Sequence, residues 1–169
     1  RWAGDATGSA AATSVAMSAP RSVEAMMERV PYIAPAGGSN AASGAPENGV
    51  APGSIVSIFG ASFAPETTVG PDNPMAQAVG CMTVRSGGRL LPVFFVSPSQ
   101  INVQLPEDEP LGARKLVVNC EGLPEVDTTF QVVRNSPGLF GGAVVHEDGT
   151  PVTAESPARA SELLTVYGT

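Results

Sequence analysis

Ile101, Val103 and Leu105 alternate with Asn102 and Gln104, and Ser97-Pro98 and Pro106 close the run on either side. A period of two places three apolar side chains on one face and two amides on the other. The segment therefore predicts a half-buried β-strand with turn chemistry at both ends. The rest of the chain is punctuated in the same way. Its 169 residues include 19 Gly and 16 Pro, which leaves little room for long helices and suits short strands joined by turns. Only 5% of residues are aromatic, so the core must rest on Val, Ile, Leu and Ala.

Further strands are expected at residues 54–59, where Val56 and Ile58 share a face, at 114–120, and at 128–133, where Phe130 and Val132 share one. Residues 81–85 and 89–96 read as a hairpin turned at Ser86-Gly87-Gly88. Strands recurring every 8–12 residues or so indicate an all-β fold of the sandwich type. The expected core face is Val56, Ile58, Ile101, Val103, Leu105, Val118, Phe130 and Val132. Residues 1–20 are rich in Ala, Ser, Gly and Thr and read as a linker or extended arm. Val23, Met26, Met27 and Val30 have helical spacing, which predicts a two-turn amphipathic helix ended by Pro31. Residues 36–53 and 60–80 read as loops.

The chain also repeats itself. Ser54-Ile55-Val56-Ser57-Ile58-Phe59-Gly60-Ala61 aligns with Glu162-Leu163-Leu164-Thr165-Val166-Tyr167-Gly168-Thr169. Both copies set an apolar pair on one face (Val56/Ile58, Leu164/Val166), centre a hydroxyl on the other, and end in aromatic-Gly. This predicts two tandem units. The expected organisation is an N-terminal arm and short helix at 1–35, a first unit at 36–135, and the start of a second at 136–169.

Four ordered motifs carry a resemblance: Asn40-Ala41-Ala42-Ser43 with Val50 through Gly60; Ser97-Pro98-Ser99-Gln100-Ile101-Asn102-Val103-Gln104-Leu105-Pro106; Ser136-Pro137-Gly138-Leu139-Phe140; and Asp148-Gly149-Thr150 through Thr169. Together, over roughly residues 38–169, they resemble a Solibacter-type family of secreted, C-terminal, β-rich bacterial regions similar to IPT/TIG immunoglobulin-like domains. The resemblance implies an immunoglobulin-like sandwich and carries no assigned activity. Two departures stand out: His146-Glu147 replaces a usual Asn-Gln, and Ala160-Ser161 replaces a Pro-Gly.

The chain carries a formal net charge of −7 and a single lysine, Lys115, which argues against nucleic acid and anionic membrane surfaces as partners. No apolar run approaches the ~20 residues needed to span a bilayer. The chain starts at Arg1 without a signal-peptide core, as expected of a processed product whose export signal is gone. Cys81 and Cys120 lie at predicted strand ends and are expected to form a disulfide in an exported protein; the alternative is two small apolar residues. His146 is the only histidine, so a Ser–His–Asp triad would need it as base, yet it adjoins an Asp-Gly turn and reads more simply as a solvated turn residue. Glu107-Asp108-Glu109 reads as a solvated acidic turn, with calcium binding as the sharper alternative and Asp72-Asn73 as a weaker instance. Trp2 and Tyr32 are the candidates for an interaction surface. No metal or cofactor set is visible.

These observations lead to one expectation: a non-enzymatic, exported or cell-surface structural or adhesive protein, such as a subunit of an extracellular filament or surface layer. Its partners would be copies of itself or neighbouring immunoglobulin-like domains. The alternative is a glycan- or ligand-binding accessory module of a larger secreted protein.

Overall fold

The computed structural model describes residues 1–25, 30–71 and 74–169. Apart from a single 3-10 turn at Pro46–Asn48, regular structure among these residues is entirely β. The chain divides into two compact units, Arg1–Val30 and Pro31–Thr169.

In the first unit, β1 (Trp2–Gly4) pairs antiparallel with β2 (Val23–Ala25), Trp2 opposite Ala25 and Gly4 opposite Val23. The Asp5 carboxylate accepts from Arg21 Nη1 at 3.1 Å and from the Ser22 amide at 2.8 Å, so it ties together the ends of the intervening loop. The N-terminal segment is thus a closed loop rather than a free arm. The helix expected over 22–30 is also corrected, because Val23–Ala25 is a strand; Met26, Met27, Glu28 and Arg29 lie outside the described residues. Val23 and Val30, two of its four apolar positions, are 43% and 50% exposed. Two turns of helix without a buried face are marginal in water, and pairing with β1 satisfies the same backbone groups.

The second unit contains β3 (Tyr32–Asn40), β4 (Ile55–Ala61), β5 (Thr68–Val69), β6 (Met82–Ser86), β7 (Arg89–Leu90), β8 (Val93–Val96), β9 (Gln100–Gln104), β10 (Gly112–Cys120), β11 (Val126–Val132), β12 (Leu139–His146) and β13 (Leu164–Gly168). A five-stranded sheet, ordered β3-β4-β9-β8-β5, faces a four-stranded sheet, ordered β11-β10-β6-β7, while β12 and β13 form a separate pair. The two larger sheets make a sandwich around one core. Val56, Ile58, Val93, Ile101 and Val103 come from one sheet; Met82, Val84, Leu116, Val118, Phe130 and Val132 come from the other. All eight residues expected on the core face are buried, none more than 6% exposed. In β9, Ile101 and Val103 point inward opposite Ile58 and Val56, while Asn102 and Gln100 join Ser57 in a hydrogen-bonded row on the outer face.

Three strand assignments change. Residues 36–40, expected as loop, belong to β3. Its Pro35 is tolerated because β3 is an edge strand, and a register shift between Ile33 and Gly38 absorbs the Pro-Ala-Gly stretch. Residues 60–80 include the short β5; Asp72 and Asn73 lie outside the described residues. The hairpin at Gly87-Gly88 forms, both glycines taking positive φ, but its second arm stops at Leu90. Pro92 has no N–H to continue the ladder, and Val93 begins β8 in the opposite sheet.

Candidate functional site

Cys81 and Cys120 form a disulfide, with Cα atoms 4.8 Å apart. Cys120 ends β10 opposite Met82, the residue after Cys81, so the bond continues the β10–β6 ladder by one covalent rung. Trp2 is half-buried, and its indole N–H donates to the Ala10 carbonyl at 2.8 Å, which organises the loop of its own unit. Tyr32, at the start of β3, is 55% exposed.

The acidic turn is only partly solvated. Glu109 is buried; its Oε1 accepts from Ser86 Oγ at 2.6 Å and from Arg114 Nε at 2.9 Å. Asp108 pairs with Arg89 on the surface at 2.7 Å. The turn is therefore pinned to β6 and β10 by one inward carboxylate. Among the described residues no group of three or more His, Cys, Asp and Glu is arranged to hold a metal ion.

The most chemically dense place in the fold is the long connection between β12 and β13. After β12 the chain turns at Asp148-Gly149 and runs back, Val152 N–H donating to the Val144 carbonyl. This return brings Ser156 and Glu162 to His146. Glu162 Oε1 lies 2.5 Å from His146 Nδ1, and Nε2 faces the Ser156 carbonyl at 3.1 Å and the Ser156 hydroxyl at 3.3 Å. Asp148, Thr150 and Arg159 complete an open polar cleft of about 260 Å³. The solvated turn histidine expected from the sequence is in fact the hub of this connection.

Serine, histidine and carboxylate here follow the order of a hydrolytic triad, but the hydrogen bonds favour another role. Both ring nitrogens face acceptors, a carboxylate and a carbonyl, which favours the doubly protonated imidazolium. In that protonated form the ring has no lone pair with which to take a serine proton, and it regains one only as pH rises above its raised pKa. The residue after Ser156 is Pro157, which lacks the N–H that commonly stabilises an oxyanion. The hydrogen bond to Glu162 raises the His146 pKa above its ordinary 6.5; desolvation opposes this, and the Ser156 carbonyl supports it. Glu162 is lowered below its ordinary 4.5, first by the Arg159 amide and then by His146. These bonds tie Ser156 and Glu162 of the returning chain to His146 at the end of β12, as a latch would.

Its pH dependence follows from these signs. The raised His146 contributes fully below pH 6.5, and its contribution is lost as pH rises through the higher folded-state value. The lowered Glu162 contributes above pH 4.5 and is lost as pH falls through its folded-state value. The connection should be firmest between pH 4.5 and 6.5. Hydrogen exchange of residues 149–156, corrected for intrinsic rates, should accelerate above that window. In His146→Ala that acceleration should vanish.

A second constellation joins the ends of the β12–β13 pair to the sandwich. Asn40, fully buried, accepts on Oδ1 from the amides of Ala42 and Ser43 and donates from Nδ2 to the Ser136 carbonyl at 2.7 Å. Ser136 Oγ donates to the Gly49 carbonyl at 2.8 Å. The Ile55 amide donates to Thr169 Oγ1 at 2.9 Å, and Thr169 exchanges both backbone hydrogen bonds with Gly138. Residues of three separated motifs (Asn40, Ser136-Pro137-Gly138 and Thr169) thus meet at one junction. A Cβ on Gly138 would lie 2.7 Å from Asn40 Oδ1 and 2.8 Å from the Ser43 nitrogen, so only glycine fits there. Asn40→Ala leaves the buried Ser136 carbonyl and the partly buried Ala42 and Ser43 amides without their partner and should cost about 2 kcal/mol. In the variant, amide exchange at Gly138 and Thr169 should rise before that of β9, if the junction opens ahead of the core.

The β12–β13 pair also reproduces β3–β4 geometrically. Ile33, Gly38, Ser39 and Asn40 oppose Gly60, Ile58, Ser57 and Val56; Leu139, Val144, Val145 and His146 oppose Gly168, Val166, Thr165 and Leu164. Register and irregularity are the same, with five residues of one strand spanned by two of the other. The terminal glycine of each aromatic-Gly pair has the same cause. A Cβ on Gly60 would overlap the Tyr32 carbonyl oxygen, and one on Gly168 the Gly138 carbonyl oxygen. Ser161, where the resemblance expects glycine, has φ 64°, the left-handed conformation that glycine adopts without strain.

No protein-family model matches the chain, and no curated protein is significantly similar to it.

Proposed function

We propose that the chain is an exported, non-enzymatic structural or adhesive protein built from immunoglobulin-like units, in the manner of the Solibacter-type secreted family it resembles. The observation that carries this reading is the repeated strand pair. Two copies of one β-edge unit, in one register and with one bulge, lie in a single chain and are joined through the buried Asn40–Ser136–Thr169 junction. Serial modules with a fixed junction are what a spacer, fibre subunit or surface layer requires. The disulfide fits an oxidising, extracellular setting, and among the described residues no helix is long and apolar enough to cross a membrane.

Negative-stain electron microscopy of the native particle tests this reading. Ordered polymers or lattices support it. A glycan array tests the alternative of a carbohydrate-binding accessory module, which the open polar cleft beside His146 favours. Selective glycan binding that His146→Ala and Arg159→Ala abolish would replace the structural reading with that one.

A further inference from the structure

The repeat identifies one strand edge whose counterpart is occupied. In the first copy, β4 pairs with β3 on one side and with β9 on the other. In the second copy, β13 pairs, among the described residues, with β12 alone. The face that β4 turns to the core is fully buried at Val56 and Ile58, whereas Val166 is 49% exposed and Leu164 is half-buried. An open edge beside an uncovered apolar pair is a template for an added strand. The template specifies the addition as well. It runs antiparallel, as β9 does along β4, and sets one apolar residue opposite Leu164 and another opposite Val166.

Such a strand exists in the other unit. Residues 12–17 have no regular structure, and among the described residues they make no backbone hydrogen bond. In Ser14-Val15-Ala16-Met17-Ser18 the two larger apolar residues, Val15 and Met17, are spaced as Ile101 and Val103 are in Gln100–Gln104, with the small Ala16 between them, and Met17 is 76% exposed. Residues 6–20 carry no charged side chain, and neither do residues 163–169, so no side-chain charge within the two strands opposes their pairing. The Asp5 clamp on Arg21 and Ser22 fixes the ends of this loop and presents its middle.

Building on the assembly reading above, we propose that residues 13–18 of one copy add as an antiparallel strand to the open edge of β13 in a second copy. Met17 then lies opposite Leu164, Ala16 opposite Thr165, and Val15 opposite Val166. Donor and acceptor are different surfaces of the same chain, so the contact is head-to-tail and propagates unless rotation closes it into a ring.

The test uses the full chain, in sedimentation velocity over a concentration series. Met17→Pro removes a donor N–H at an exposed position, and Val166→Lys places a charge on the acceptor face; far-ultraviolet circular dichroism and the thermal midpoint check that both stay folded. The wild type should associate with rising concentration, and each variant alone should be monomeric. Mixing the two should yield a heterodimer and no larger species, because Met17→Pro keeps only the acceptor and Val166→Lys only the donor. A second measurement is independent of stability: Ala16→Cys and Thr165→Cys in one chain should give disulfide-linked ladders on oxidation. A wild type monomeric at every concentration overturns the proposal together with the self-assembly it builds on. Association that survives both variants overturns the strand pairing and leaves the structural reading standing. Loss in Val166→Lys but not Met17→Pro overturns the assignment of residues 13–18 as donor.

Discussion

Ile101→Asp should abolish folding, while Asn102→Asp, one residue along the same strand, should be mild. Ile101 is wholly buried and sits opposite Ile58 at the centre of the sandwich. An aspartate there either buries a charge far from any partner or binds a proton at a cost of several pK units. Loss of the side chain's packing adds ~2–5 kcal/mol, and the total reaches the ~5–15 kcal/mol stability of an ordinary domain. Asn102 faces outward, its Oδ1 accepting from Ser57 Oγ and Gln100 Nε2, and a carboxylate accepts both bonds as well. Soluble expression with urea unfolding decides the matter. Equal tolerance of both changes would mean that the two faces of β9 are wrongly assigned.

Removing the covalent rung between β6 and β10 should be the next most damaging change. Cys81→Ser with Cys120→Ser should lower unfolding free energy by ~4 kcal/mol, the chain-entropy value for a loop of this size. Cys120 is 6% exposed at the core margin, so serine adds a small desolvation cost. Native and denatured unreduced wild-type protein should show no free thiol. Denaturant midpoints of the oxidised protein and the double variant, compared at equal slope, measure the difference. A shift near zero would mean that the ladder on either side already holds these strands without the bond.

The core strands were legible because each carries its own signal. Alternation at Ile101–Val103–Leu105 and at Phe130–Val132 reports burial within a few residues, whatever the rest of the chain does. β3 was hidden by its Pro35, Gly37 and Gly38, which in isolation spell loop; an edge position and an irregular register make them compatible with a strand. Glu109 reads as solvent-facing because Pro106 and Pro110 enclose an acidic run; only the fold brings Ser86 and Arg114 to it. The His146 latch was out of reach for a similar reason. Ser156 and Glu162 stand 10 and 16 residues downstream, Ser156 in a segment without periodicity and Glu162 at the very start of the repeat, and they meet the imidazole because the chain doubles back at Gly149. The Asn40 junction was half visible. Its motifs could be picked out one by one, but nothing in them states that an amide at 40 reaches a carbonyl at 136.

The bond between Cys81 and Cys120 has a mechanical meaning as well as a thermodynamic one. In the proposed role of spacer or fibre subunit, the chain would carry load along its length. Once a module yields, every residue outside the bond adds slack. The 39-residue separation between the two cysteines cannot open, which withholds ~130 Å of contour length at ~3.4 Å per residue. Stretched to rupture, each molecule is shorter by that amount than its reduced form. The redox state of its surroundings therefore sets how far this protein can extend.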